Sequence, residues 1–120
     1  MTNKERAIDF LKLAGFGNVQ SAYDKYVDDR FIHHNQYFAG DRQSLLNAMA
    51  DAHITHPNKI FEVKYVYVDG ATVITHSLVQ KEDMDIAVVH IFRFENDKIV
   101  ELWDLGQALE KTSPNINGAF

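Results

Sequence analysis

Six histidines in 120 residues, and one aspartate directly behind the only tryptophan, are the groups in this sequence best suited to moving protons. His33 and His34 sit in Arg30-Phe31-Ile32-His33-His34-Asn35-Gln36, while His76 and His90 interrupt two apolar runs. A polar side chain inside an apolar strand must be hydrogen-bonded, or it costs roughly 1 to 3 kcal/mol. These four histidines therefore fall where a polar pocket would be. Asp104 ends Val100-Glu101-Leu102-Trp103-Asp104, flanked by apolar neighbours. Desolvation there is expected to raise its pKa, which is how a protein obtains a general acid or base that works near neutrality.

Other chemistries have less support. His53-Ile54-Thr55-His56 has helical metal-ligand spacing, but it lacks the glutamate and a third ligand and runs into Pro57, so no metal site is assigned. The absence of cysteine excludes disulfides, thiolate metal sites and cysteine nucleophiles, and fits a reducing cytoplasm. No Gly-rich phosphate loop, GxSxG elbow or Ser/Lys pair occurs, which leaves nucleotide and serine-hydrolase readings unsupported. The net charge is -5 and the 12 Lys and Arg are scattered, so nucleic acid is excluded as a partner. The start, MTNKERAIDFLKLAG, places charges within its apolar pattern and reads as neither secretion signal nor membrane span. A cytoplasmic protein with no membrane partner is expected.

The elements that must position these groups follow from periodicity. Residues from about Lys4 to Ala14 carry Ala7, Ile8, Leu11 and Ala14 on one stripe, with Asn3 as the cap and Gly15 and Gly17 as the stop. A second helix after Asn18 aligns Val19, Ala22, Tyr23, Tyr26 and Val27. A third, capped by Asp41, aligns Leu45, Ala48, Met49 and Ala52 and ends at Pro57. From Ile60 the period falls to two and the residues become β-branched and aromatic. An Asp69-Gly70 hairpin leads into strands over about Thr72 to Gln80, Ile86 to Phe94 and Lys98 to Leu105. The tail from Gln107 reads as a surface segment tied down at points such as Phe120. Helices followed by a meander of four strands or more predict one α+β domain over residues 1–120, a curved antiparallel sheet wrapped by N-terminal helices.

Whether His90 and Asp104 share a face depends on the loop between their strands. A two-residue Asn96-Asp97 turn pairs Glu95 with Lys98 and sends Asp104 to the face of Val89 and Ile91. A three-residue loop of Glu95, Asn96 and Asp97 pairs Phe94 with Lys98 and puts His90, Phe92, Leu102 and Asp104 on one face. The latter leaves Val89, Ile91, Ile99 and Trp103 as an apolar outer patch, which predicts a homodimer.

Three stretches resemble the SnoaL-like polyketide cyclase family, within the wider nuclear-transport-factor-like fold shared with ketosteroid isomerase and scytalone dehydratase. Phe31-Ile32-His33-His34-Asn35 is similar to the family's tyrosine-isoleucine-glutamine-histidine-asparagine segment. His90 to Asp104 is similar to its aspartate-isoleucine-phenylalanine-arginine to histidine-tryptophan-aspartate block, and Asn115 to Phe120 resembles its asparagine-glycine tail. The resemblance spans nearly the whole chain. It implies a cone-shaped sheet curled around one internal pocket, the bulged register, and dimers formed through the outer sheet face. In the cyclases an aspartate at the position of Asp104 is the acid/base of a metal-free aldol ring closure, with a histidine assisting. Asp104, His34 and Asn35 match that pattern, while His90 replaces the usual aspartate and Leu102 the usual histidine.

The expectation is a cofactor-free enzyme, of cyclase or isomerase type, acting next to a carbonyl of a small apolar or polyketide-like substrate. Asp104 moves the proton, with His90, His76, His34 and Asn35 polarising the oxygen or orienting the base. Phe92, Leu102, Tyr23 and Tyr26 supply apolar walls. The alternative is a module of the same fold that binds a small hydrophobic ligand without turning it over.

Overall fold

A computed structural model describes all 120 residues. Helix α1 spans Asn3–Gly15, and its cap is Thr2 rather than Asn3. The Thr2 hydroxyl accepts from the Glu5 N–H at 3.1 Å, while the Glu5 carboxylate accepts from the Thr2 N–H at 2.9 Å. This reciprocal box satisfies two otherwise unpaired donors, which one asparagine at the next position does not. Helix α2 spans Val19–Tyr26 and buries Val19, Ala22, Tyr23 and Tyr26. Helix α3 spans Arg42–Thr55, capped by Asp41 on the Ser44 N–H, and buries Leu45 and Leu46, leaving Ala52 exposed.

Between α2 and α3 lies a strand absent from the periodicity reading, β1 (Val27–His33). Its middle, Asp28-Asp29-Arg30, is polar because β1 is an edge strand with solvent on one side. It runs parallel to β5 (Lys98–Ala108), so the five-stranded sheet is mixed rather than antiparallel throughout. Strands β2 (Ile60–Asp69), β3 (Thr72–Gln80) and β4 (Asp85–Glu95) complete a curved, open sheet in the order β1-β5-β4-β3-β2. The β2–β3 hairpin turns at Gly70-Ala71, one residue later than expected: Asp69 pairs with Thr72, and Gly70 supplies a φ of 57° that an aspartate tolerates less well.

The β4–β5 connection is the two-residue turn. Glu95 pairs with Lys98, and Asn96 and Asp97 adopt left-handed φ of 49° and 66°. The ladder is then interrupted, because Phe94 faces Ile99 whereas Arg93 faces Glu101, leaving Val100 as an extra residue. That bulge restores the parity the turn would have reversed. His90 faces Asp104 and Phe92 faces Leu102.

The helices cover the inner face of the sheet, where a cluster of 16 buried residues joins Phe10, Leu11, Tyr23, Tyr26, Phe92 and Leu102 among others. Ile99 belongs to this cluster at 1% exposure and not to the outer patch, since it precedes the bulge. The outer face has no helix on it. Part of it is covered by the tail, whose Phe120 ring lies 4.6 Å from the His76 ring and beneath Lys64. No helix is long and apolar enough to cross a membrane.

Candidate functional site

His90 points inward from the middle of β4 at 5% exposure. Phe61 and Phe92 hold its ring on two sides, with centroids 6.4 and 5.9 Å away. Its Nε2 lies 3.3 Å from Asp104 Oδ1 across the β4–β5 pair. The other carboxylate oxygen, Oδ2, accepts from the Asn35 amide at 2.9 Å. Asn35 is itself fixed: its N–H donates to His33 Nδ1 at 3.1 Å and its Oδ1 accepts from the Tyr37 N–H. His33, buried, uses Nε2 on the Ala39 carbonyl at 2.6 Å, so that its Nδ1 is left to accept. The series His33, Asn35, Asp104 thus orients the carboxylate from the β1 side while His90 meets it from β4.

Burial pushes the Asp104 carboxyl upward, but the contact and charge of His90 and the Asn35 amide together hold it below the ordinary aspartate range. The expected upward shift is therefore reversed. Desolvation is the largest single influence, yet donors aimed at both oxygens outweigh it. Asp104 is an ionised carboxylate at neutral pH.

Asp104 borders two recesses, and His90 one of them. One, of about 190 Å³, lies between α1, the end of α3 and the inner sheet face, walled by Leu11, Met49, Phe61, Val79 and Val88, with His90 and Asp104 in its floor. Its mouth carries His53, His56, Asn58 and Lys81. The second lies on the Asn35 side and shares Asp104 and Val88 with the first, so the carboxylate stands in the wall between them. Behind His90, its buried Nδ1, the hydroxyl of its cross-strand neighbour Thr75, and that of Ser77 have no hydrogen-bond partner.

The structure brings together only part of the set expected from sequence. Asp104, His90 and Asn35 converge. His34 does not: it follows His33 on β1, so strand alternation turns its ring outward, where it stacks on Trp103 at 4.7 Å and bonds Glu101 at 2.7 Å. It touches the rim of the second recess, away from the pair. His76 also faces outward, because Thr75 and Ser77 on either side of it take the inner positions on β3; it packs between Tyr65 and Phe120. Tyr23, Phe92 and Leu102 are fully buried in the core and do not line the first recess, and the Tyr26 hydroxyl bonds Asp9.

Four residues of the mouth went unassigned in the sequence. Lys81 continues the inner parity of Thr75, Ser77 and Val79, a signal hidden because it begins a polar loop. His53 sits over Gly17, whose φ of 93° and lack of a side chain leave room for the ring; a Cβ there would lie 2.4 Å from His53 Nε2. Nowhere do three His, Cys, Asp or Glu side chains gather as a metal site.

No protein-family model and no curated protein matches the chain. Solved structures do. An NTF-2-like protein of unknown function from Burkholderia xenovorans LB400 superposes with a TM-score of 0.75 at 19% identity, covering 93% of this chain and 88% of that one. A SnoaL-like polyketide cyclase from Agrobacterium tumefaciens C58 gives 0.75 at 13% identity, over 89% and 92%. An LEH-like epoxide hydrolase from M. tuberculosis gives 0.66 at 15%, over 88% and 82%. At these identities the likeness defines the fold, which is nuclear-transport-factor-like and shared with SnoaL-like cyclases.

Proposed function

We propose that this chain, built on the nuclear-transport-factor-like fold, is a cofactor-free acid/base enzyme that moves a proton next to a carbonyl of a small, largely apolar substrate. The observation that carries this reading is the His90–Asp104 pair, buried on the His90 side and half-buried on the Asp104 side, in the floor of a recess with apolar walls. Asp104 takes the proton; Asn35 holds its second oxygen, and His90, 3.3 Å from the first, fixes its direction. A carboxylate held below its usual pKa is a weak base, so it suits carbon acids already acidified, such as β-dicarbonyl compounds. The solved cyclase and epoxide hydrolase show that this fold hosts enzymes of more than one class, which is analogy rather than assignment.

The same depressed pKa and the apolar lining favour a second reading, a module that holds a small hydrophobic ligand without turning it over. Solvent deuterium exchange at the α-carbon of cyclic and β-dicarbonyl ketones, followed by NMR against a no-protein control, separates the two. The enzyme reading expects an excess rate that falls by roughly 10² to 10⁴ in Asp104→Asn with ligand affinity little changed. No excess across the panel, with hydrophobic ligands still raising the melting temperature, replaces the enzyme by the binding module.

The unit in solution is proposed to be a homodimer formed through the outer sheet face. Half-buried Val89, Ile91 and Trp103 there adjoin the exposed Leu105, Tyr65 and Tyr67, an apolar face that a monomer presents to water.

A further inference from the structure

Lys81 is a cation at the mouth of the first recess, beside His53, His56 and Asn58, and is held by two neutral acceptors. Its ammonium donates to the His56 carbonyl at 2.5 Å and to Asn58 Oδ1 at 2.8 Å. An ammonium carries three donors, so one remains for another partner. No carboxylate stands within ion-pair distance; the acid that acts on Lys81 is the exposed Asp83, and burial outweighs it, drawing the ammonium below the ordinary lysine value. A partly buried cation without a counter-ion favours an anionic ligand group.

The two ends of the recess differ in what they offer a ligand. On the inner face of β3, Ser77 and Val79 separate Lys81 from Thr75, the cross-strand neighbour of His90. Lys81 therefore enters from the end away from the acid/base pair. The carboxylate of Asp104, already partnered by His90 and Asn35, offers an anion no attraction, whereas Lys81 attracts one at the mouth. Phe61, Val79 and Val88 line the recess with them. A ligand with a carboxylate at one end and an uncharged carbonyl carried on an apolar body fits this polarity in one orientation only.

We infer that the recess takes amphipathic carboxylic acids bearing a second, neutral carbonyl, with the ligand's carboxylate held by the Lys81 ammonium. The inference rests on the recess being the ligand site proposed above and adds the class of molecule it selects. The carbonyl of His56, which caps the end of α3, also bonds Lys81, which is a purely structural use of the same side chain. The two uses differ in what they ask of a ligand.

Octanoate and octanamide, which match in shape and differ in charge, are titrated calorimetrically into wild type, Lys81→Met, Lys81→Arg and Asp104→Asn. Wild type is expected to prefer octanoate by about tenfold or more, Lys81→Arg to keep most of that preference and Lys81→Met to lose it. The preference should shrink as salt is raised, since the ammonium is only partly buried. Equal binding of acid and amide, failure of both to bind, or a preference that survives in Lys81→Met overturns the inference. Should Lys81→Met not fold, the Arg variant and the salt series decide, and a preference indifferent to salt overturns it. Octanoate selectivity in wild type and Asp104→Asn alike, without any Asp104-dependent exchange, removes the catalytic reading and keeps the ligand class. Asp104-dependent exchange with no acid preference does the reverse.

Discussion

His90 and Asp104 face one another at 3.3 Å because β5 carries one residue more than the hairpin turn calls for. The turn at Asn96-Asp97, continued as a regular ladder, would place Val89 opposite Asp104 and turn the carboxylate outward. Val100 absorbs the difference as a bulge. The site thus depends on a turn and a bulge whose effects on side-chain parity cancel.

The balance at Asp104 is testable through its partner. Replacing His90 by Phe removes the contact and charge that lower the carboxyl pKa and leaves burial, which raises it. The Asp104 pKa, read from its carboxyl carbon-13 shift, is expected to move up in His90→Phe. A value unchanged from wild type would show that the pair is not coupled.

The same shift gives stability a pH dependence. A folded pKa below the unfolded one, roughly 3.9, means the carboxylate contributes stability fully above that value and loses it as pH falls through the folded pKa. Asp104→Asn should therefore be less stable than wild type in urea at neutral pH, with the gap closing in acid below that range. A gap that widens in acid contradicts the assigned direction.

Asp97 sits at a left-handed φ of 66° that glycine adopts without strain, and its ion pair with Arg6 is 73% exposed on the Asp97 side. Asp97→Gly completes the Asn-Gly sequence preferred in such turns, and it is expected to raise unfolding stability by about 0.5 to 1 kcal/mol despite the lost surface pair. Lower stability in Asp97→Gly would mean that the ion pair outweighs the backbone strain.

Phe92 belongs to the packed core, with its ring 5.9 Å from Phe10 and no exposure, and it does not line the recess. Phe92→Ala should cost about 3 to 5 kcal/mol in urea unfolding. Phe61→Ala, at the recess wall and partly exposed, should cost less and instead weaken octanoate binding. Equal losses of stability in the two variants would refute that division.

The dimer is checked by light scattering. A mass near twice the 13.7 kDa of one chain at micromolar concentration is expected, and Ile91→Asp, in the middle of the outer face, should return it to one chain. Wild type at the mass of a single chain would refute the interface.

Much of the frame was legible in the residues alone. The stripes of α1, α2 and α3 and the change to period two at Ile60 are local patterns, set by which neighbours along the chain share a face. The inward direction of His90 came from the family resemblance rather than from alternation. What only the tertiary structure decided is non-local. β1 is polar at its centre and becomes a strand by pairing with β5, some seventy positions away. Asp104 shares His90's face through a bulge at Val100 that no alternation rule announces, because both Val100 and its neighbour Ile99 are buried and apolar. His34 and His76 have the right chemistry and the wrong parity. The direction of the Asp104 pKa turned on donors from the loop after β1 and from β4 converging on one carboxylate, and Lys81, written as the start of a loop, reaches the recess because His56 and Asn58, just past α3, offer it two acceptors. Periodicity records the face a residue takes within its own element. Which groups meet across elements is set by register and burial, which exist only once the sheet has closed over the helices.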